Sequence, residues 1–396
     1  MKEHAISPKE LLAPLKKDKH LLKIGVPKEN AEEESRVALA PEAVKVLCQA
    51  GLKICIETGA GEGSHFSDHS YSEAGAEILP DSQSIFQCPF IIKVEPPTPQ
   101  EIERCQPETF IVSALQFSQL TREYLALLQK KKIIALAYEL FQDKVGEMPF
   151  IRAMSEIAGS SALFIASECM NSHKGGKGVL LGGITGVLPA SIVILGAGTV
   201  AEYATRVALG LGAKVQIFDN NLYKLRRLKH LVGHAIPTST LDSLALSKAL
   251  QDADVAIGAI RMDNQRNRFM VSEEMVSQMQ PGSVILDINI DQGGCFETSR
   301  LTSHKNPTFE KYGIIHYGIP NIPSRMGRTA SRAISNIYTT MMLQIQDCGG
   351  LEEMIYTNKG FLKGIYTYKG CITNKQLASR FELKYKDLEL LMAARM

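Results

Sequence analysis

Six consecutive residues, Gly196-Ala197-Gly198-Thr199-Val200-Ala201, stand between the apolar run ASIVIL and an amphipathic stretch. Glycines at the first and third positions permit a tight turn and close backbone approach to a pyrophosphate at a helix N-terminus; the sixth position admits alanine. Asp219 closes the next apolar run, AKVQIFD, 23 residues after Gly196. That is close to the roughly 20 residues at which an acid bonds a ribose hydroxyl, and a carboxylate there repels a 2′-phosphate. The pattern therefore points to NAD rather than NADP. A second acid, Asp291, follows the apolar run SVILDIN, and Gly293 and Gly294 behind it let the backbone bend where ligands gather at the carboxyl end of a strand.

Other reactive residue types carry weaker patterns. His65/His69 and His230/His234 have the i, i+4 spacing of two metal ligands on one helix face. The first pair lies in glycine-rich loop and the second ends a basic helix, where histidine suits the dipole, so no metal site is expected. Cys295 in DQGGC has no neighbouring histidine to activate it and reads as a small packed residue.

These residues need a scaffold, and the chain supplies one twice. From Leu22, short apolar runs (LKIGV, KICIE, FIIKV, TFIVSAL, KIIALAYE) alternate with amphipathic stretches such as PEAVKVLCQAG and LTREYLALLQKK. That rhythm predicts a parallel sheet covered by helices. Met154 to Met170 predicts a long helix crossing to a second domain. There the rhythm repeats through ASIVILGAG, AKVQIFD, DVAIGAI and SVILDIN, which predicts a doubly wound sheet. Thr329 to Asp347 is again helical by pattern and is expected to return to the first domain. The fold class expected is α/β, with two doubly wound Rossmann-like domains, the NAD-binding domain (151–327) being inserted in a discontinuous substrate domain (1–150 and 328–396).

A chain of 396 residues exceeds the size at which single cores stop growing. With 44 Lys+Arg against 42 Asp+Glu there is no charge excess to draw nucleic acid or an anionic membrane surface, and a small-molecule partner is expected. Eight scattered cysteines without a C-x-x-C pair suit reduced thiols. The charged N-terminal stretch lacks an apolar signal segment, and together these features predict a cytoplasmic protein. Gly178 to Ala201 is uncharged and about long enough to span a bilayer, but Pro189 and five glycines make it a loop feeding a buried strand.

The separated segments IGVPKE, ESRVALAPEAV, ETGAGEGSHFSD, IIKVEPP, ALAYE, MSEIAG, GAGTVAEYA and DINIDQGGCFETSR, in this order, closely resemble the alanine dehydrogenase family and, more distantly, the related NAD-binding transhydrogenase subunits. The resemblance runs from about Lys23 to Cys371. It implies oxidation of L-alanine to pyruvate and ammonium with reduction of NAD, by a homo-oligomer, hexamer or dimer. It implies that Arg36 binds the substrate carboxylate, that Asp291 is catalytic, and that Asn321 lies near the nicotinamide and substrate. Ser155, Lys224, Ile260 and Ile288 fall where the family contacts NAD, beside Gly196, Gly198, Thr199, Val200 and Asp219.

Two positions depart from the family pattern. Gln116 stands where the family's catalytic histidine follows the run TFIVSAL; it can hydrogen-bond a carbonyl or carboxylate but cannot titrate. Lys93-Val94-Glu95 replaces a K-V-K arrangement whose second lysine binds substrate. On a strand residues 93 and 95 share a face, so Lys93 is a candidate for the missing cation, while Glu95 would repel a substrate carboxylate or select a substrate with an extra amine. Two alternatives therefore stand beside alanine oxidation: a dehydrogenase for another amino or imino acid, and a low-activity NAD-binding subunit or sensor.

Overall fold

The structure, a computed structural model, describes residues 22–30, 33–260 and 269–393; the N-terminal stretch lies outside them. Strands β1 (Lys23–Val26), β2 (Lys53–Glu57), β3 (Glu77–Leu79), β4 (Phe90–Ile92), β5 (Phe110–Ser113) and β6 (Ile134–Ala137) form a first parallel sheet, ordered β3-β2-β1-β4-β5-β6. A second sheet contains β7 (Ser191–Leu195), β8 (Lys214–Phe218), β9 (Thr238–Ser239), β10 (Val255–Gly258), β11 (Val284–Asp287), β12 (Thr308–Lys311) and β13 (Ile314–Tyr317). Its parallel part runs β9-β8-β7-β10-β11-β13, with β12 antiparallel at the edge. Both sheets thus have the 3-2-1-4-5-6 order of a doubly wound fold. Every residue of β4, β5, β6, β10 and β11 is buried, as expected where helices cover both faces of a parallel sheet.

The chain returns to the first sheet at its end. Strand β14 (Ile365–Tyr368) pairs antiparallel with β6, and β15 (Cys371–Ile372) pairs with β14. The second sheet is therefore an insertion in the first unit. The helix Gly327–Asp347 makes that return and also fixes the loop after β1: the backbone amides of Val37 and Ala40 donate to Ser331 Oγ (2.9 Å) and Ser335 Oγ (2.6 Å).

The crossing helix is Pro149–Cys169, starting a turn earlier than the pattern Met154–Met170 predicts, because Pro149 suits the first helical turn. It packs on the helix Thr199–Gly210 that follows the glycine turn. The contact is close enough that a methyl group on Gly159 would lie 2.3 Å from the Val200 carbonyl oxygen. Glycine is required there because overpacking such a contact costs about 1–3 kcal/mol and would displace the first turn of the second helix. Gly178 to Ala201 is loop, strand β7 and the start of that helix; no helix among the described residues is long and apolar enough to cross a membrane.

Candidate active site

In both sheets the loops bearing the candidate residues leave the carboxyl ends of the strands, where backbone direction reverses across the sheet and a crevice opens. Arg36 follows β1 and Lys93 and Glu95 follow β4, the two strands flanking the first switch point. Gln116 follows β5. The glycine turn follows β7 and Ile260 follows β10, flanking the second switch point, while Ile288 and Asp291 follow β11. The two crevices meet. Ser35 N donates to Ser324 Oγ (2.8 Å), His304 N to Glu33 Oε1 (2.7 Å) and Asn321 Nδ2 to Glu34 Oε2 (2.9 Å), joining the loop before Arg36 to the end of the inserted unit.

Arg36 is 6% exposed and its planar fork is heavily used. The Nε/Nη2 edge grips Glu34 bidentately, with Nε to Oε1 at 2.7 Å and Nη2 to Oε2 at 2.5 Å. On the remaining edge, Nη2 reaches Glu95 Oε1 at 3.1 Å and Nη1 touches the Met154 sulfur at 3.4 Å. Met154 precedes Ser155 on the crossing helix, which brings Ser155 to the same crevice. Burial alone would raise Glu34, but the hydrogen bonds and charge of Arg36 prevail and hold its carboxyl at about 2. At Glu95 burial wins: Arg36 only partly offsets it, Glu34 adds repulsion, and the carboxyl is pushed up to about 7.

Gln116 Nε2 donates to Glu95 Oε2 at 2.7 Å. Its backbone has φ 48°, a left-handed conformation that a residue with a side chain seldom adopts. The Glu139 carboxylate stabilises it by accepting the successive amides of Leu115 (3.0 and 3.2 Å) and Gln116 (2.8 Å), an anion seated in a backbone nest. The turn bearing Glu95 is equally constrained. Glu29 accepts the amides of Val94 (2.7 Å) and Glu95 (3.3 Å), and the Tyr138 hydroxyl donates to the Val94 carbonyl (2.9 Å). Glu95 is thereby held against Arg36 by backbone contacts rather than by its own flexible stem.

Lys93 is placed otherwise than strand alternation suggested. β4 ends at Ile92, the chain bends, and residues 93 and 95 do not share partners. The Lys93 ammonium, 2% exposed, pairs with Glu29 (3.2 Å) and Glu101 (3.3 Å), so its charge is spent inside the first unit instead of being offered to a substrate. The Arg36 site contains no second cation among the described residues that contact it.

The dinucleotide residues fit their expected ligand. Gly196 has φ 111°, and a side chain there would meet the Ala259 carbonyl at 2.7 Å. Gly198 caps the helix Thr199–Gly210 without a side-chain bond, leaving the helix N-terminus facing open space of the kind a phosphate occupies. Asp219 accepts the Ala197 amide on Oδ2 and the Asn221 amide on Oδ1, both at 2.8 Å, which ties the strand end to the glycine turn and leaves lone pairs for hydroxyl groups. Ile288 is buried and Ile260 half-buried beside this turn, whereas Lys224 is exposed on the helix Leu222–Val232. Asp291 is exposed in the short helix Ile290–Gln292, and Gly293 (φ 102°) and Gly294 (φ 69°) make the bend behind it.

The remaining reactive groups are otherwise engaged. Burial pushes the Cys295 thiol up, and its Sγ contacts the Ile260 carbonyl at 3.5 Å. His69 lies beside Glu73 (3.4 Å), and His65, His230 and His234 are exposed.

Comparison with known proteins decides the kinship. Residues 25–158 match the model of the alanine dehydrogenase/PNT N-terminal domain and residues 162–375 that of its C-terminal domain. The chain belongs to the alanine dehydrogenase/PNT family. It is 41% identical to an alanine dehydrogenase of Methanococcus maripaludis over 92% of this chain and 98% of that one. A solved L-alanine dehydrogenase superposes with a TM-score of 0.86 at 35% identity, covering 91% of this chain and 99% of that one. A transhydrogenase from Sinorhizobium meliloti shares the fold, with a TM-score of 0.76 at 22% identity over 89% and 99% of the two chains.

Within this family site, sequence reasoning found Arg36, Glu95, Gln116 and Asn321 but not the group that links them. Glu34 was visible only as a neighbour that a surface arginine would pair with; in fact it touches both Arg36 and Asn321. Glu29 and Glu139 carry no local signal, since each acts on backbone amides some 65 and 23 to 24 residues away.

Proposed function

We propose that the chain is an NAD-dependent amino-acid dehydrogenase that oxidises L-alanine, or an amino acid close to it, to the 2-oxoacid and ammonium. The observation carrying this reading is the buried Arg36 in the crevice where Asn321 of the inserted unit meets the loop after β1. Gly196, Gly198 and Asp219 would hold the dinucleotide, which when bound supplies the hydride acceptor. Arg36 orients the substrate by its carboxylate. Asp291, at the end of β11, moves protons as amine becomes imine and water adds. Asn321 keeps Glu34 aligned behind Arg36. NAD reduction measured across alanine, serine, glycine and diamino acids tests the reading; no reduction with any of them, by protein that binds NAD, would favour a non-catalytic NAD-binding role instead.

The Asp219 carboxylate is expected to favour NAD over NADP by at least about tenfold, roughly 1.4 kcal/mol. Calorimetric titration with both dinucleotides checks this, and equal affinities would refute it.

Native turnover of alanine is expected to be weak, because Gln116 cannot exchange a proton and general acid–base help is worth about 100- to 10,000-fold. Gln116→His places an imidazole next to Glu95, which already accepts a hydrogen bond at 2.7 Å. It should raise kcat/KM for alanine by at least about tenfold. An unchanged value would show that the native side chains solve the proton transfer another way.

Self-association supports the same assignment. Leu180, Ile184, Val187 and Leu188 are 60–75% exposed on one loop, and Phe164 is 59% exposed on the crossing helix. Such a cluster suits a subunit interface. A homo-oligomer, dimer or hexamer, is expected by light scattering; a monomer at micromolar concentration would argue against it.

A further inference from the structure

An arginine fork has two edges that can take a carboxylate bidentately. At Arg36 the Nε/Nη2 edge is filled by Glu34, so an incoming carboxylate must use the Nη1/Nη2 edge. There Nη2 is held by Glu95 at 3.1 Å and Nη1 has only the Met154 sulfur. A substrate carboxylate therefore takes the place of Glu95. With Glu34 already matching the charge of Arg36, that exchange leaves Glu95 without a cation.

We propose that Glu95 determines the specificity of this site: it surrenders Arg36 to the substrate carboxylate and takes the substrate ammonium as its new partner, so that amino-acid zwitterions enter freely and 2-oxoacid anions enter only with a proton. The inference rests on the dehydrogenase reading for the identity of the two ligands.

The surroundings of Glu95 leave it no other cation. Glu34 and Glu29 approach it from the loop after β1, and both are carboxyl groups. Gln116, after β5, donates one neutral hydrogen bond. Tyr138, after β6, is buried, its hydroxyl is raised well above its ordinary range, and it donates to a carbonyl instead. Lys93 is bound to Glu29 and Glu101. An ionised Glu95 facing a bound 2-oxoacid would thus be a desolvated charge among like charges, and protonation relieves it. An ammonium group relieves it equally well without any proton. The Glu95 side chain remains 21% exposed toward the crevice, where such a group arrives.

The test uses full-length protein loaded with NADH and without ammonium, so that neither pyruvate amination nor alanine oxidation proceeds. Affinities for pyruvate and L-alanine are measured by calorimetry between pH 7.5 and 8.5, in two buffers of different ionisation enthalpy. Pyruvate binding is expected to take up close to one proton and to weaken by up to tenfold across that interval. Alanine binding should take up little and change less than threefold. In the isosteric variant Glu95→Gln the pH dependence for pyruvate should vanish, its affinity at pH 8.5 should rise at least fivefold, and alanine should bind at least tenfold more weakly. Equal pH dependence of the two ligands in the native protein, or a dependence for pyruvate that survives Glu95→Gln, overturns the proposal; so does failure of both ligands to bind NADH-loaded protein. Turnover is scored separately: alanine-dependent NAD reduction without the pyruvate effect removes the role of Glu95 alone, and the pyruvate effect without turnover removes the reaction alone.

Discussion

Arg36→Met is expected to destabilise the fold by about 3–5 kcal/mol, because it strands a carboxylate whose side chain is 1% exposed. Glu34 would lose its two short bonds to the guanidinium and keep only the neutral amide of Asn321. Urea unfolding should show this as a lower midpoint. The same variant should raise KM for the amino acid at least about 100-fold, since charge-assisted bonds contribute roughly 1.5–3 kcal/mol each. A second variant separates the effects. Arg36→Met with Glu34→Gln removes the stranded charge, so most of the stability should return while KM stays high. Recovery of both quantities in the double variant would make Arg36 a structural residue and end its substrate role.

Asp291→Asn is expected to lower kcat about 100- to 10,000-fold with NAD affinity changed less than about threefold. The change keeps shape and removes the ability to carry a proton at the end of β11. Other candidates for that task are committed elsewhere: Gln116 does not titrate, Lys93 lies in a buried ion pair, and burial holds the Cys295 thiol protonated. Single-turnover NADH formation reads the chemical step, and fluorescence titration reads cofactor binding. A wild-type rate in Asp291→Asn would leave proton handling to Glu95, whose carboxyl is poised at about 7.

Much of this molecule was legible in its residues because strands and glycine turns are local. Continuous apolar runs announced β4 to β6 and β10 to β11, and the spacing from Gly196 to Asp219 announced a bond-forming proximity that the structure contains, the Ala197 amide meeting Asp219 at 2.8 Å. Shorter pieces were not legible. The hairpin of β12 and β13 and the strands β14 and β15 are two to four residues each and owe their existence to an edge already formed by β11 or β6, so periodicity has too few residues to act on.

The sequence by itself determined the family, the doubly wound architecture and which residue types stand at the strand ends, since those follow from motif order and from apolar periods within single segments. Only the tertiary structure decided what each charge does. Strand alternation treated Lys93 and Glu95 as interchangeable neighbours on one face, but β4 ends before either, and the bend sends them to different partners. The lysine is neutralised by Glu29 and Glu101, and the glutamate is delivered to Arg36 beside Gln116. Those partners come from β1, β5 and distant loops, and whether a buried charge is spent, shared or available depends on every opposite charge within a few ångströms, a distance that separation along the chain does not encode.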